Sequence, residues 1–299
     1  MKKIIFLIIL CIFLVSCASN KCLIEKKEYS CAGFEVKGTI YEDKSIIIYN
    51  MTYLSEGLSI NGIMAKPKQD KKSSLIIFNH GGKEGIEELN WIKRLASRGY
   101  TILASHYRGE GGSEGNIEVA LGETTDVMNL LECGKQLSTV DEKNIGIIGF
   151  SHGGAITVQA MELTEDFKAG VALWGPMDIL KRVQNIKSAD DPVLNWVKTV
   201  ETPDNKAELT KSLLKRSPIY CVDKLNAPLL IFHGQLDKLI PYEYALDFVE
   251  TLDKFKKDYL FFSLENLGHE FERADGTKDT LKEEEAMVIV TDWFDKYLK

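Results

Sequence analysis

The chain has 299 residues, 44% of them hydrophobic and 27% charged. These proportions exclude a disordered chain, a collagen-like repeat and a polytopic membrane protein, and the length can bury a sizeable core. Lys and Arg number 37 against 44 Asp and Glu, a formal charge of −7, which argues against nucleic-acid binding because that usually leaves a basic footprint.

The chain opens on a short basic stretch, Met1-Lys2-Lys3, followed by an apolar run over 4–15. A bilayer span needs about 20 apolar residues, so the run reads as the hydrophobic region of a signal peptide. It ends in Leu14-Val15-Ser16-Cys17, which is similar to a bacterial lipobox. The expectation is removal of 1–16, lipidation of Cys17 and a polar tether over 17–33. The mature protein would then sit on a membrane surface in the bacterial cell envelope, on the periplasmic or extracellular side. Four further cysteines, Cys22, Cys31, Cys133 and Cys221, allow three pairings. Cys22 with Cys31 would close a short N-terminal loop, and free thiols are the alternative. No CxxC pair or His/Cys cluster points to a metal.

Three strand-like stretches come first, 34–40, 45–53 and 58–66, separated by turn residues, and they predict antiparallel pairing. Short continuous apolar runs follow at 75–78, 100–104, 145–150, 169–174, 229–232 and 259–264. Such runs predict strands covered on both faces, as in a parallel sheet. Helical periodicity lies between them at 86–97 and 125–137, and a final helix is expected over 281–298. The alternation predicts an α/β fold: one domain over 34–299 with a mostly parallel sheet and helices on both faces. A helical insert over about 177–217 reads either as a long crossover or as a lid.

Gly149-Phe150-Ser151-His152-Gly153 matches G-x-S-x-G, with a predicted strand before it and a predicted helix after it. That context makes Ser151 the candidate nucleophile. A serine hydroxyl needs a general base. Of the five histidines, His269 is placed best, in the loop between the last strand and the last helix. His152 adjoins the serine, but its side chain should diverge at so tight a turn. His80, His106 and His233 read as structural. Asp237, just past the strand 229–232, is the candidate orienting carboxylate, and Asp178 is its rival. The backbone N–H of His152 and that of Gly82 or Lys83 are the candidate oxyanion donors. The Gly-rich loop 107–113 reads as a structural wall of the pocket, with Arg108 in an ion pair.

Four segments together carry a resemblance: Asn79-His80-Gly81-Gly82, Tyr107-Arg108-Gly109, the Gly149–Gly154 elbow, and Ala227-Pro228-Leu229-Leu230-Ile231-Phe232-His233-Gly234 with Ser217-Pro218-Ile219 before it. They resemble the catalytic domain of prolyl oligopeptidase-type (S9-like) serine hydrolases in the α/β-hydrolase superfamily, with the dienelactone hydrolase-like branch close by. The resemblance covers roughly residues 50–297. It implies an eight-stranded sheet, a Ser-Asp-His triad and no cofactor. S9 peptidases carry a large N-terminal β-propeller, and residues 18–49 are too few for one.

These readings converge on a membrane-tethered serine hydrolase that cleaves ester or short peptide and amide bonds through an acyl-enzyme. A non-catalytic surface binder on the same fold and an acyltransferase are the alternatives. The expected partners are a small ester or short peptide and, through the N-terminal lipid, a membrane.

Overall fold

The computed structural model describes residues 22–82, 84–185 and 206–299. The expected leader, Cys17, Lys83 and the middle of the 177–217 insert lie outside the described residues.

Nine strands form one sheet among the described residues: β1 (Ala32–Glu42), β2 (Ile46–Ser55), β3 (Leu58–Pro67), β4 (Ser73–Asn79), β5 (Thr101–Ser105), β6 (Val140–Phe150), β7 (Phe167–Leu173), β8 (Leu229–Gly234) and β9 (Tyr259–Leu264). Their order is β1-β2-β3-β5-β4-β6-β7-β8-β9. The pairs β1–β2, β2–β3 and β3–β5 are antiparallel, and every later pair is parallel. The resemblance implied eight strands. The ninth arises because 32–42 pairs along almost its whole length with β2.

The helices are α1 (Leu89–Ser97), α2 (Gly122–Lys135), α3 (His152–Leu163), α4 (Ile179–Gln184), α5 (Lys206–Lys215), α6 (Tyr242–Lys254) and α7 (Thr280–Leu298). Helices α1 and α7 bury Trp91, Ile92, Leu95, Val290 and Phe294 against one face of the sheet. Helices α2, α3 and α6 bury Val127, Leu130, Ile156, Val158 and Phe248 against the other. This two-sided cover explains the continuous apolar runs of β4 to β8, since neither face of those strands meets water. The fold is that of an α/β hydrolase.

The run 259–264 departs from the expectation. As β9 it is an edge strand, and Leu260 is 44% exposed. A continuous apolar run does not reveal whether a strand has a neighbour on each side.

The cysteines pair as Cys22–Cys221 and Cys31–Cys133, neither as a Cys22–Cys31 loop nor as free thiols. Residues 22–31 form no helix or strand. They run across the flank of the domain, where Ser30 N–H donates to Asn129 Oδ1 at 2.9 Å and Lys224 Nζ donates to the Ile24 carbonyl at 3.2 Å. Laid out this way, the two ends reach different partners. Cys22 meets the short 3-10 turn Pro218–Lys224, and Cys31 meets α2.

Candidate active site

Ser151 stands between β6 and α3 with φ 48° and ψ −118°, a conformation that costs an L-residue on the order of 1–3 kcal/mol. Its surroundings enforce that turn. Ser151 N–H donates to the Leu173 carbonyl at 2.8 Å. A Cβ on Gly149 would lie 2.0 Å from the Gly153 carbonyl oxygen, and a Cβ on Gly153 would lie 2.2 Å from that of Asn79. Both glycines of the motif are therefore required by backbone contact.

Asp237 follows β8 and is buried. Its Oδ1 accepts from the N–H groups of Leu239 at 2.9 Å and Ile240 at 2.8 Å. That leaves Oδ2 for the His269 Nδ1–H at 2.7 Å. An ionised carboxylate only accepts, so Nδ1 carries the proton and Nε2 is free to accept. Nε2 lies 2.9 Å from Ser151 Oγ. His269 opens the 3-10 turn His269–Phe271, where Glu270 and Phe271 both have positive φ, 51° and 64°. The backbone bridge between Leu267 and Arg273 closes the base of that loop. Three side chains from distant parts of the chain are thus in hydrogen-bond contact at one end of the parallel sheet.

Asp178 is not brought to His269. It caps α4, accepting from Lys181 N–H at 2.8 Å and from the Tyr220 hydroxyl at 3.2 Å. His233 secures the Asp237 turn, its Nε2–H donating to the Ile240 carbonyl at 2.7 Å, and burial lowers its pKa. The His152 ring points away from the serine into the interior. There it lies edge-on to Tyr107 at 6.0 Å between ring centroids, and burial lowers its pKa to about 3. His80 stacks on Tyr107 at 4.2 Å between centroids, and burial lowers its pKa to about 4.

On the loop after β4, Gly81 N–H donates to Glu88 Oε1 at 2.9 Å. That hydrogen bond commits the Gly81 donor, so a donor facing the serine has to come from farther along. Gly82 has φ 64° and open space where a Cβ would project. Lys83 is outside the described residues.

Arg108 is buried in an ion cluster with Asp126 at 2.8 Å, Glu118 at 2.9 Å and Glu56 at 3.0 Å. Its loop does not wall the cavity beside the serine. Tyr107 packs beneath the loop after β4 instead, its hydroxyl donating to the His80 carbonyl at 3.3 Å.

A cavity of about 440 Å³ opens beside Ser151. Its apolar wall is Trp91, Phe150, Trp174 and Phe271. Trp174 stands 6.0 Å from the His269 ring, edge-on to Phe271 at 4.7 Å. Sequence reasoning missed Trp174 and Glu88 as parts of this site. Trp174 carries only the signal of ending a buried strand, and Glu88 carries none. Among the described residues, no group of three His, Cys, Asp or Glu side chains could hold a metal ion.

The sequence profile described as Prolyl oligopeptidase family matches residues 88–299. The chain belongs to this family. It is a serine hydrolase. The uncharacterized peptidase YtmA of Bacillus subtilis is 27% identical over 70% of this chain and 81% of its own length. The putative esterase YitV of the same organism is 26% identical over 81% of this chain and 96% of its own length. This chain spans only 38% of another such relative, the uncharacterized peptidase YuxL. Among solved structures, an acylaminoacyl peptidase of Pyrococcus horikoshii superposes with a TM-score of 0.71 at 24% identity, over 86% of this chain and 42% of that one. An acetyl xylan esterase of Paenibacillus sp. R4 gives 0.71 at 20% identity over 92% and 91%. At these identities the structural likeness is one of fold.

Proposed function

We propose that Ser151 is the nucleophile, His269 the general base and Asp237 the residue that orients it, in the hydrolysis of small esters or short peptide and amide bonds. The observation that carries the reading is the continuous relay from Ser151 Oγ to His269 Nε2 at 2.9 Å and from Nδ1 to Asp237 at 2.7 Å. As Ser151 Oγ bonds to the acyl carbon, its proton passes to His269 Nε2, and the carbonyl oxygen takes the negative charge. The backbone N–H of His152 and that of Gly82 or Lys83 stabilise this oxygen. Collapse breaks the bond to the leaving alcohol or amine, which departs with the proton from His269. Water then attacks the acyl-enzyme, giving its proton to the same nitrogen, and the acid and free Ser151 are released.

The test is Ser151→Ala assayed with p-nitrophenyl acetate and aminoacyl amides. Turnover should fall by about 10⁶. Unchanged rates defeat the assignment.

The location is part of the same reading. Cys17 anchors the mature chain by lipid to a membrane surface in the cell envelope, outside the cytoplasm. The leader pattern supports this, and so do the two disulfides, since such bonds persist in oxidising compartments. Cys17→Ser should move the protein from the membrane fraction to the soluble one. Persistence in the membrane fraction refutes the anchor.

A further inference from the structure

The two faces of the sheet carry different things. The segment 22–31 lies against the face covered by α2, α3 and α6, where Ile24, Tyr29 and Cys31 pack on the core that holds Val127, Leu130, Ile156 and Val158. The cavity beside Ser151 belongs to the other face. Its wall of Trp91, Phe150, Trp174 and Phe271 is part of the core under α1 and α7, and Glu283 of α7 lines it too. A helical layer about 10 Å thick and the sheet itself stand between segment 22–31 and the cavity.

The same segment is where the chain leaves the domain toward Cys17, the residue read above as the lipid site. Cys221 is 1% exposed, so Cys22 is bonded to a firmly packed part of the domain. Cys22 follows Cys17 by five positions, and Cys31 follows it by fourteen. Fully extended, five residues reach about 18 Å and fourteen about 50 Å. A globular unit of this length is about 50 Å across. A lipid anchor running to Cys31 alone would leave enough chain for the domain to turn over and lay either face on a bilayer. An anchor running to Cys22 does not, and the face that carries the cavity stays out of reach. Charge does not compete with this constraint, because the exposed residues of the segment cancel, Glu25 and Glu28 against Lys26 and Lys27.

We propose that the Cys22–Cys221 bond is a stay that sets the orientation of the enzyme on its membrane. The flank of α2 and α3 lies toward the bilayer, and the cavity beside Ser151 opens to the aqueous side. The substrates are then water-soluble acyl compounds, not acyl groups at the surface of the membrane that carries the enzyme. The proposal rests on lipid at Cys17 and on Ser151 as the nucleophile, and it adds a substrate class to both.

The lipidated full chain is placed on phosphatidylcholine–phosphatidylglycerol vesicles, dilute enough that each enzyme meets its own membrane. It is given one reacting group in two forms: umbelliferyl acetate free in water, and the same acetate joined through its ring to a phospholipid headgroup of those vesicles. Two variants lengthen the leash by independent routes. Cys22→Ser/Cys221→Ser frees the chain as far as Cys31. A Gly/Ser spacer of about forty residues between Asn20 and Lys21 keeps both disulfides and the fold they hold. All three proteins should cleave the free acetate at rates within about twofold, since none of the changes touches the relay. The wild type should cleave the attached acetate at least about tenfold more slowly than the spacer variant, because effective concentration falls toward zero when a linker cannot span the gap. The disulfide variant should lie between them. Equal cleavage of the attached acetate by wild type and spacer variant overturns the stay and leaves both earlier readings standing. Free acetate left intact, with no labelling of Ser151 by a fluorophosphonate, overturns the hydrolase reading. Wild-type protein that fails to float with the vesicles overturns the anchor, and the stay falls with either.

Discussion

The rim of the sheet at Ser151 and the flank covered by residues 22–31 are held by opposite means. At the rim, position is enforced by backbone contact and directed hydrogen bonds. Gly153 leaves no room for a Cβ, and both oxygens of Asp237 are used. On the flank, a segment with no secondary structure of its own is fixed by two covalent bonds and by scattered polar contacts such as Lys27–Glu56 at 3.1 Å. The first arrangement sets geometry to fractions of an ångström, as acyl transfer requires. The second limits how far a chain can wander, which bears on stability rather than on rate. The two regions should therefore fail differently.

The largest effect is expected at the rim. Asp237→Asn can still accept from Leu239 and Ile240 but offers His269 an amide in place of a carboxylate. The ring can then settle with its proton on the wrong nitrogen, and kcat should fall by about 10⁴ with the melting temperature little changed. Steady-state kinetics beside a thermal melt check it. A melt that collapses while the surviving folded fraction keeps its rate would invert the contrast.

The flank should give the opposite signature. The paired change Cys31→Ala/Cys133→Ala opens a loop with a sequence separation of 102. Chain-entropy reasoning puts the loss at roughly 4–5 kcal/mol. Denaturant unfolding should show it, and kcat at 25 °C should stay within about twofold. A large fall in kcat at unchanged stability would mean that the flank is coupled to the rim.

This contrast also explains what could be read in advance. The elbow was legible because its constraints are local: Gly149, Ser151 and Gly153 fall within five positions, flanked by a strand and a helix. The order of Ser151, Asp237 and His269 was legible because each follows a strand that the apolar runs marked. The disulfides were not, because Cys22 and Cys221 are separated by 199 positions and nothing local records where an irregular segment lies. The exposed face of β9 escaped for a related reason, since a run of apolar residues does not encode its neighbours. Glu88 and Trp174 join the site only through tertiary contact, one through Gly81 and the other through Phe271 and His269.

A buried carboxyl between the two regions provides a pH test. Glu162 on α3 is 2% exposed, and neither of its oxygens has a hydrogen-bond partner among the described residues. Burial raises its pKa well above the usual value, with Lys224 opposing and Asp223 adding to the shift. The folded state therefore keeps a proton that the unfolded chain releases above pH of about 4.5. Stability from this group is complete below that pH and is lost as pH rises toward the folded value. Glu162→Gln should match the wild type near pH 4 and become progressively the more stable as pH rises above the unfolded-state value. Urea unfolding at several pH values measures this, and a difference independent of pH would refute it.

The smallest effect sharpens the contrast most, because it compares two aspartates beyond neighbouring strands. Asp178 follows β7 as Asp237 follows β8, and β7 and β8 are paired. Both are buried, and both accept backbone N–H groups. What separates them is the remaining oxygen, which takes the Tyr220 hydroxyl in one case and His269 in the other. Asp178→Ala removes an N-cap and leaves Lys181 N–H and the Tyr220 hydroxyl without that acceptor. The expected cost is about 1–2 kcal/mol of stability, with kcat changed by no more than about threefold. Asp178→Asn retains the capping oxygen and should recover most of the loss. If Asp178→Ala instead lowered kcat as far as Asp237→Asn, the carboxylate serving His269 would have to be assigned afresh, and the separation of rim from flank would lose its clearest boundary.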